Sequence, residues 1–296
     1  MFPDLCLFSA FSMETLTQAF QILLPLVYAG LVAYFGRSFF RSGNAEWRLK
    51  FAVPAAYLAL LLHGIYIGAY TALNHHDLVA TVSELSSLIA FTLFAVYVFA
   101  ELRPSKETSG TGFFVTAVSF LLQTISSFTI GSVTMPVTKA ILQDPIFNAH
   151  VTTSVFGYAA LILAAIYGGL YLLLYRVIQR NEFGAIFEHI PSLERLERFG
   201  LRSTAVGFFF LTISIVLGGR LYHTYAPEAG VLQLLADPKV MMTLLVWFVF
   251  GVTLLAGRVM HVEGRRLVLF WMSGFALTVV SMMIVNAIGT QFHSFL

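Results

Sequence analysis

Residues 149–176 read Ala-His-Val-Thr-Thr-Ser-Val-Phe-Gly-Tyr-Ala-Ala-Leu-Ile-Leu-Ala-Ala-Ile-Tyr-Gly-Gly-Leu-Tyr-Leu-Leu-Leu-Tyr-Arg. This stretch contains no lysine, aspartate or glutamate, and its one arginine is the last residue. About 20 mostly apolar residues are enough for a helix to cross the hydrocarbon core of a bilayer. The stretch therefore predicts a transmembrane helix that begins with a histidine, His150.

Seven further segments of the chain have the same continuously apolar character. They are 17–39, 51–73, 80–100, 112–131, 203–222, 238–258 and 267–288. These runs are too long and too continuous for the alternating strands of a transmembrane barrel. We expect an all-α, polytopic membrane bundle of eight transmembrane helices. Four of them would lie in an N-terminal portion, 1–131, and four in a C-terminal portion, 132–296, of one integral membrane unit.

The overall composition of the 296 residues agrees with this interpretation. Hydrophobic residues make up 58% of the chain and charged residues only 11%, whereas soluble domains carry about 25% charged residues. Such a composition excludes a disordered protein, a nucleic-acid-binding domain and a secreted disulfide scaffold. Cys6 is the only cysteine, so an intrachain disulfide, a thiolate metal cluster and a covalently attached c-type haem are excluded as well.

Basic residues are distributed unevenly between the loops. Of the 17 Lys and Arg residues, only Lys139, Arg220 and Lys239 lie in or beside the second, fourth and sixth connections; the others lie in or beside the odd-numbered ones. Basic loops of membrane proteins remain on the cytoplasmic side. The asymmetry predicts that both termini lie outside, and we expect a multi-pass protein of the bacterial inner (cytoplasmic) membrane.

Two histidines lie at helix ends on the predicted outer side. His150 opens the fifth span, and His293 follows the eighth. Two neutral imidazoles that face each other across a flat pocket can ligate haem iron from opposite sides. Both residues are therefore candidate metal ligands, although each could instead be a hydrogen-bonded residue of the membrane interface.

Two other polar residues are candidates for cofactor binding. His63 lies about ten residues inside the second span, and an ionisable residue at such depth tends to be functional. It could be a second haem ligand, a quinone partner or a proton relay, or a neutral histidine bonded to a carbonyl or hydroxyl of a neighbouring span. Arg220 ends the sixth span, where it could bind a haem propionate or extend toward lipid headgroups.

The second half of the chain resembles the cytochrome c assembly family of haem-handling membrane proteins, of the CcsA and CcmC type. In the first half, His63, 83–88 and Arg103-Pro104 are similar to the eight-span HemX/YpjD-like branch of that family. The stretches of the second half that carry the resemblance, in order, are 150–161, 191–198, 207–218, Asp237-Pro-Lys239, Trp247, Arg258, Gly264-Arg-Arg266 and Gln291-Phe-His-Ser294.

The resemblance implies that His150 and His293 are the axial ligands of a haem b at the outer membrane face. It also implies a role in haem handling for cytochrome c biogenesis rather than an enzymatic activity of its own. The tryptophan-rich loop of the family is missing, and residues 220–236 stand in its place. There Tyr222, His223 and Tyr225 could replace the tryptophans as aromatic walls, and a second haem would need His63 or His223 as a ligand.

Two alternative functions remain open at this point. The same histidines could hold haem b in an electron-transfer subunit between membrane quinol and an outer cytochrome, and a quinone would then be a second cofactor. Alternatively the protein is a haem-free transporter or regulatory membrane protein. The expected partners are haem, membrane lipid and other membrane or outer-face cytochrome-related proteins, and no nucleic acid.

Overall fold

The computed structural model of the chain describes residues 3–40, 46–74, 81–100, 108–129, 141, 143–228 and 230–288. The regular structure of these residues is helical, which confirms the all-α fold class. The helices are α1 (Pro3–Phe40), α2 (Glu46–Asn74), α3 (Val82–Ala100), α4 (Thr108–Thr129), α5 (Pro145–Arg180), α6 (Ala185–His189), α7 (Leu193–Tyr225), α8 (Val231–Ala236), α9 (Pro238–Arg258) and α10 (Arg265–Ile288).

Six helices in the described part of the chain are long and apolar enough to cross a membrane. They are α1, α2, α4, α5, α7 and α9, and they correspond to six of the eight predicted spans. The predicted spans 80–100 and 267–288 coincide with α3 and α10. That these two also cross the membrane stays a prediction, as does the outside placement of both termini.

The chain forms two compact units, Met1–Met135 and Pro136–Leu296, whereas the sequence suggested a boundary at 131/132. In the first unit, α1 and α3 each pack against both α2 and α4, so that the four helices close a ring. In the second unit, α5 and α9 each pack against both α7 and α10. Each unit therefore has its own interior, and each unit contains one candidate histidine, His63 in the first and His150 in the second.

Aromatic side chains fill part of the interior of the first unit. The Tyr28 ring of α1 meets the Phe94 ring of α3 edge to face at 5.2 Å between centroids. Phe35 meets Tyr97 in the same manner at 6.1 Å, and all four side chains are fully buried or nearly so. Edge-to-face pairs of this kind are favourable beyond the area they bury, so they hold α1 against α3.

Close contact between α5 and α7 depends on two glycines, Gly157 and Gly207. A Cβ atom at Gly207 would lie 2.7 Å from Leu161 Cδ2 and 3.2 Å from the Gly157 carbonyl oxygen. Small residues let helix backbones approach closely in membranes, where association depends on packing rather than on a hydrophobic effect. The crossing brings the first two turns of α5 against the last third of α7, where the candidate site lies.

Trp271 anchors α10 to the rest of the second unit. Its indole is fully buried between Gly168 of α5 and Gly200 of α7. A Cβ at Gly168 would lie 2.5 Å from the indole Nε1, and one at Gly200 would lie 2.6 Å from Cζ2. Protein interiors have no free volume to absorb such overlaps, so the indole requires both glycines.

Two Asp-Pro dipeptides begin helices in the second unit. Asp144 caps α5 by accepting a hydrogen bond from the Ile146 N–H at 2.7 Å, and Asp237 caps α9 in the same way. The Tyr225 hydroxyl, at the end of α7, donates to the other carboxylate oxygen of Asp144 at 2.7 Å. This hydrogen bond, together with the capping N–H, holds the pKa of Asp144 below its usual value and ties the start of α5 to the end of α7.

The packing around Trp271 predicts opposite effects for two neighbouring glycines. We expect Gly168→Ala to destabilise the second unit by about 1–3 kcal/mol, because the new methyl group overlaps the indole. Gly169→Ala is the matched control, since nothing lies within 4 Å of a Cβ at that position. It should be stabilising by about 0.5–1 kcal/mol, because alanine favours the helix. Unfolding midpoints in detergent measure both, and equal tolerance of the two changes would contradict the packing.

The hydrogen bonds of Asp144 predict a pH-dependent contribution to stability. Because its pKa is lower in the folded protein, the contribution is complete above the unfolded value of about 3.9 and is lost as the pH falls below it. The Asp144→Asn variant keeps a capping side chain but has no carboxylate to titrate. Its unfolding midpoint should therefore fall less steeply than that of the wild type on acidification through this range, and parallel curves would contradict the assignment.

Candidate functional site

Among the described residues, the imidazole of His150 forms hydrogen bonds through one ring nitrogen only. His150 lies in the second turn of α5, and its Nδ1 is 2.8 Å from the carbonyl oxygen of Ser214 on α7. A carbonyl accepts but cannot donate, so Nδ1 carries the proton and Nε2 of the neutral ring keeps its lone pair. Among the described residues, none forms a hydrogen bond with Nε2. Histidines that bind metals commonly donate their other ring N–H to a carbonyl in this way.

Small side chains surround the ring and determine its position. Ser214 is buried, and its hydroxyl lies 3.2 Å from His150 Nδ1 and 2.6 Å from the Ser154 hydroxyl. Ser154 in turn donates to the His150 carbonyl at 2.8 Å. Gly218 lies beside the ring, because a Cβ there would be 3.1 Å from His150 Cε1. The orientation of the imidazole is therefore set by α7 as well as by its own helix.

Charged side chains of both signs lie at the same end of the second unit. The Arg220 guanidinium, exposed near the end of α7, interacts electrostatically with Asp144 at the start of α5. Lys239, in the first turn of α9, interacts electrostatically with His150 itself. Within the described part of the chain the Nε2 lone pair of His150 is not used in a hydrogen bond, and Lys239 lies near the ring. This arrangement suits a ligand that combines a metal ion with a carboxylate group.

The other predicted site residues of the second unit differ in how deeply their side chains are buried. The Tyr222 side chain is buried, and its hydroxyl donates to the Gly230 carbonyl oxygen at 3.3 Å. His223 is exposed at the end of α7. His293 lies outside the described residues, so its pairing with His150 stays a prediction. Within the described part of the chain, no group of three or more His, Cys, Asp or Glu residues forms a metal site.

His63 lies in the interior of the first unit, where both ring nitrogens form hydrogen bonds. Nδ1 is 2.9 Å from the Tyr28 hydroxyl, and Nε2 is 2.9 Å from the Ser87 hydroxyl. Ser87 gives its only proton to Gln123 Oε1, at 2.9 Å, so it must accept from His63 Nε2–H. In a neutral imidazole that donates from Nε2, Nδ1 is the acceptor, and Tyr28 is then its donor.

This network leaves His63 without a lone pair for a metal. Its side chain is fully buried, and four helices contribute to the chain of hydrogen bonds: α1 through Tyr28, α2 through His63, α3 through Ser87 and α4 through Gln123. The geometry corresponds to the alternative of a neutral histidine bonded to a hydroxyl of a neighbouring span. Roles of His63 as a haem ligand or quinone partner stay predictions, and both would require this network to rearrange.

Several residues of these two arrangements did not stand out in the sequence. Ser154 follows His150 by four residues, and Ser214 precedes Gly218 by four, so each pair lies on one face of its helix. That spacing is the only available signal. It does not indicate which faces meet, because the pairing of α5 with α7 is a property of the fold.

Comparison with known proteins places the chain in a family. Residues 57–293 match the family described as cytochrome C assembly protein. Protein HemX of Brevibacillus brevis is 24% identical over 196 residues, which cover 66% of this chain and 70% of the relative. The inner membrane protein YpjD of Escherichia coli (strain K12) is 24% identical over 258 residues, covering 86% and 89%.

A third relative is the cytochrome c biogenesis protein CcsA of Chlamydomonas reinhardtii, 29% identical over 154 residues. This match covers 52% of the chain but only 41% of the relative. The family match takes in more than three quarters of the chain and includes His63, His150 and His293. The chain is therefore a multi-pass membrane protein that belongs to the cytochrome c assembly protein family.

Proposed function

We propose that this protein handles haem b in cytochrome c biogenesis, with His150 and His293 as the axial ligands near the outer face of the bacterial inner membrane. Membership of the cytochrome c assembly family supports the role. The observation that carries the proposal is the hydrogen bond between His150 Nδ1 and the Ser214 carbonyl, which leaves Nε2 available for iron. The outer placement follows from the asymmetry of basic loops.

The residues present around His150 fit a haem group. The Ser214 carbonyl holds one tautomer of the ring and raises the basicity of Nε2. Gly218 leaves the edge of the imidazole free of a side chain that would tilt it. Arg220 and Lys239 supply the positive charge that two propionates require. Bound haem would supply a one-electron iron couple, and the protein would supply coordination, orientation and charge.

The electron-transfer alternative uses the same two histidines, and the haem-free alternative uses neither. The absorption spectrum of the purified protein separates the haem-free alternative from the other two. Reduction of the haem by a quinol analogue, with normal cytochrome c maturation in a deletion strain, would favour electron transfer. Failure of maturation in that strain would favour haem handling.

We expect His150→Ala and His293→Ala each to lose the spectrum of a reduced bis-histidine haem b, because each variant removes one axial ligand. His189→Ala is the matched control. This histidine belongs to the short helix α6, where its Nδ1 bonds to the Ala185 carbonyl at 2.9 Å. The measurement is the haem absorbance per protein after purification in detergent from cells supplied with haem. Full haem retention in both ligand variants would refute the axial assignment.

The contact between Gly218 and the His150 ring predicts a second, subtler effect. We expect Gly218→Ala to weaken haem binding by roughly 10- to 100-fold, the range seen when groups that orient a ligand are changed. The new methyl group would lie 3.1 Å from Cε1 and 3.3 Å from Nδ1, so the ring must tilt.

Gly219→Ala serves as the control, since a Cβ at that position has nothing within 4 Å. Haem titration of the apoprotein, followed by absorbance, measures both affinities. An unchanged affinity in Gly218→Ala would show that the orientation of the His150 ring does not control haem binding.

A further inference from the structure

The proposed function uses the main-chain carbonyl of Ser214 and leaves the hydroxyl groups of Ser154 and Ser214 without a role. The two hydroxyl oxygens lie 2.6 Å apart, which is a normal distance for a hydrogen bond between hydroxyls. The Ser154 oxygen is also 2.8 Å from the His150 carbonyl oxygen, and the Ser214 oxygen is 3.2 Å from His150 Nδ1. Two hydroxyls, two carbonyls and one imidazole of α5 and α7 therefore share three protons.

The distances determine where the hydroxyl protons lie. Each hydroxyl has a single proton. The His150 carbonyl can only accept, and Ser154 is its nearer partner at 2.8 Å, against 3.4 Å for Ser214. Ser154 therefore donates to the His150 carbonyl, and Ser214 donates to the Ser154 oxygen. The Ser214 oxygen then has only lone pairs to offer the ring, so that it accepts from Nδ1–H together with the Ser214 carbonyl.

A different arrangement of the same hydroxyl protons would invert the imidazole. If Ser214 donated its proton to Nδ1, the neutral ring would carry its own proton on Nε2. Nε2 would then have no lone pair for a metal ion, because ring tautomer and ligation are set by the hydrogen bond at the other nitrogen. The Ser214 hydroxyl is thus a competing donor to Nδ1. Its bond to Ser154 removes the proton with which it would compete.

We propose that Ser154 is a positioning residue that selects the Nδ1–H tautomer of His150. It lies four residues after His150 and therefore on the same face of α5. It acts through Ser214: because Ser154 accepts the Ser214 hydroxyl proton, Nδ1 faces acceptors only and Nε2 keeps its lone pair. The consequence for haem binding rests on the proposed function, whereas the tautomer is a property of the protein without a ligand.

Nitrogen NMR of the apoprotein tests the tautomer directly. In protein labelled at histidine nitrogens and kept at alkaline pH, where imidazoles are neutral, protonated and unprotonated ring nitrogens give separate signals. The His150 signals are those missing from His150→Ala. We expect the wild type to carry the proton on Nδ1. Ser154→Ala should raise the ratio of the Nε2–H to the Nδ1–H tautomer roughly five- to tenfold, the change for one lost hydrogen bond.

Thr153→Ala is the matched control on the same turn of α5. Within the described part of the chain, the Thr153 hydroxyl bonds to the carbonyls of Ala149 at 2.8 Å and His150 at 3.0 Å, and not to Ser214. The control therefore removes a hydroxyl from the same His150 carbonyl without releasing the Ser214 proton. It should leave the tautomer ratio of His150 unchanged, and a shift as large as that in Ser154→Ala would contradict the proposal.

A double variant distinguishes selection of the tautomer from a general structural effect. Ser154→Ala combined with Ser214→Ala keeps the main-chain carbonyl at position 214 but removes the competing hydroxyl. The Nδ1–H tautomer should therefore recover its wild-type population. If the two serines only stabilised the contact between the helices, the double variant would be more disturbed than the single one. An unchanged ratio in Ser154→Ala, or no recovery in the double variant, would overturn the proposal.

Haem titration of the same variants separates this proposal from the proposed function. Ser154→Ala should lower the apparent haem affinity by the fraction of the Nδ1–H tautomer that the NMR spectra show to be lost, and the double variant should restore it. A tautomer shift without the matching loss of affinity would overturn the role of Ser154 toward the ligand. Absence of haem binding in the wild type would refute the proposed function and leave the tautomer result standing.

Discussion

Hydrocarbon offers no hydrogen-bond partner, so a polar group within the membrane is costly unless it finds a partner inside the protein. In the second unit this requirement links His150 of α5 to the Ser214 carbonyl of α7. In the first unit it links Tyr28, His63 and Ser87 across three helices. These hydrogen bonds connect helices whose apolar surfaces could otherwise pack in many rotations, because apolar side chains contact lipid and protein about equally well. The polar pairs therefore select the rotation of each helix.

The same requirement distinguishes the two histidines. His63 is surrounded by hydroxyl groups, which can donate as well as accept, and both of its nitrogens are bonded. His150 faces a carbonyl, which can only accept, and one nitrogen keeps its lone pair. The sequence places both residues at or within apolar helices and makes both candidate ligands. The sequence cannot show that the two histidines differ in hydrogen bonding, because the groups that bond to their rings belong to other helices. The contact between His150 and Ser214, for example, depends on the close approach of Gly157 to Gly207.

The helices themselves could be predicted from the sequence, because a continuous apolar run is a property of neighbouring residues. Six predicted spans correspond to helices that are long and apolar enough to cross a membrane. The residues at which the helices begin and end were harder to predict. The helix α7 begins at Leu193, ten residues before the predicted span, so the segment 191–198 leads directly into the span. The helix α5 runs from its cap at Asp144 to Asn181, which has a left-handed backbone with φ of 56°. The length of an apolar run reflects the thickness of the hydrocarbon layer that the helix crosses, whereas capping residues determine where the helix begins and ends.

The segment 220–236 shows how a missing motif changes the chemistry of a site. Tyr222, His223 and Tyr225 are the residues that the sequence offers in place of the tryptophans, and two of them carry hydroxyl groups. Their hydroxyls bind other parts of the second unit, one the Gly230 carbonyl and one the Asp144 carboxylate, so that both rings are held in place; their role as aromatic walls stays a prediction. The large apolar side chains of this segment that are most exposed among its described residues are aliphatic, Val231 and Leu232 of α8. Aliphatic side chains stabilise an apolar ligand through the area they bury and not through ring stacking. For the haem that we propose to bind at His150, coordination and charge would then contribute more to affinity and orientation than ring stacking by this segment.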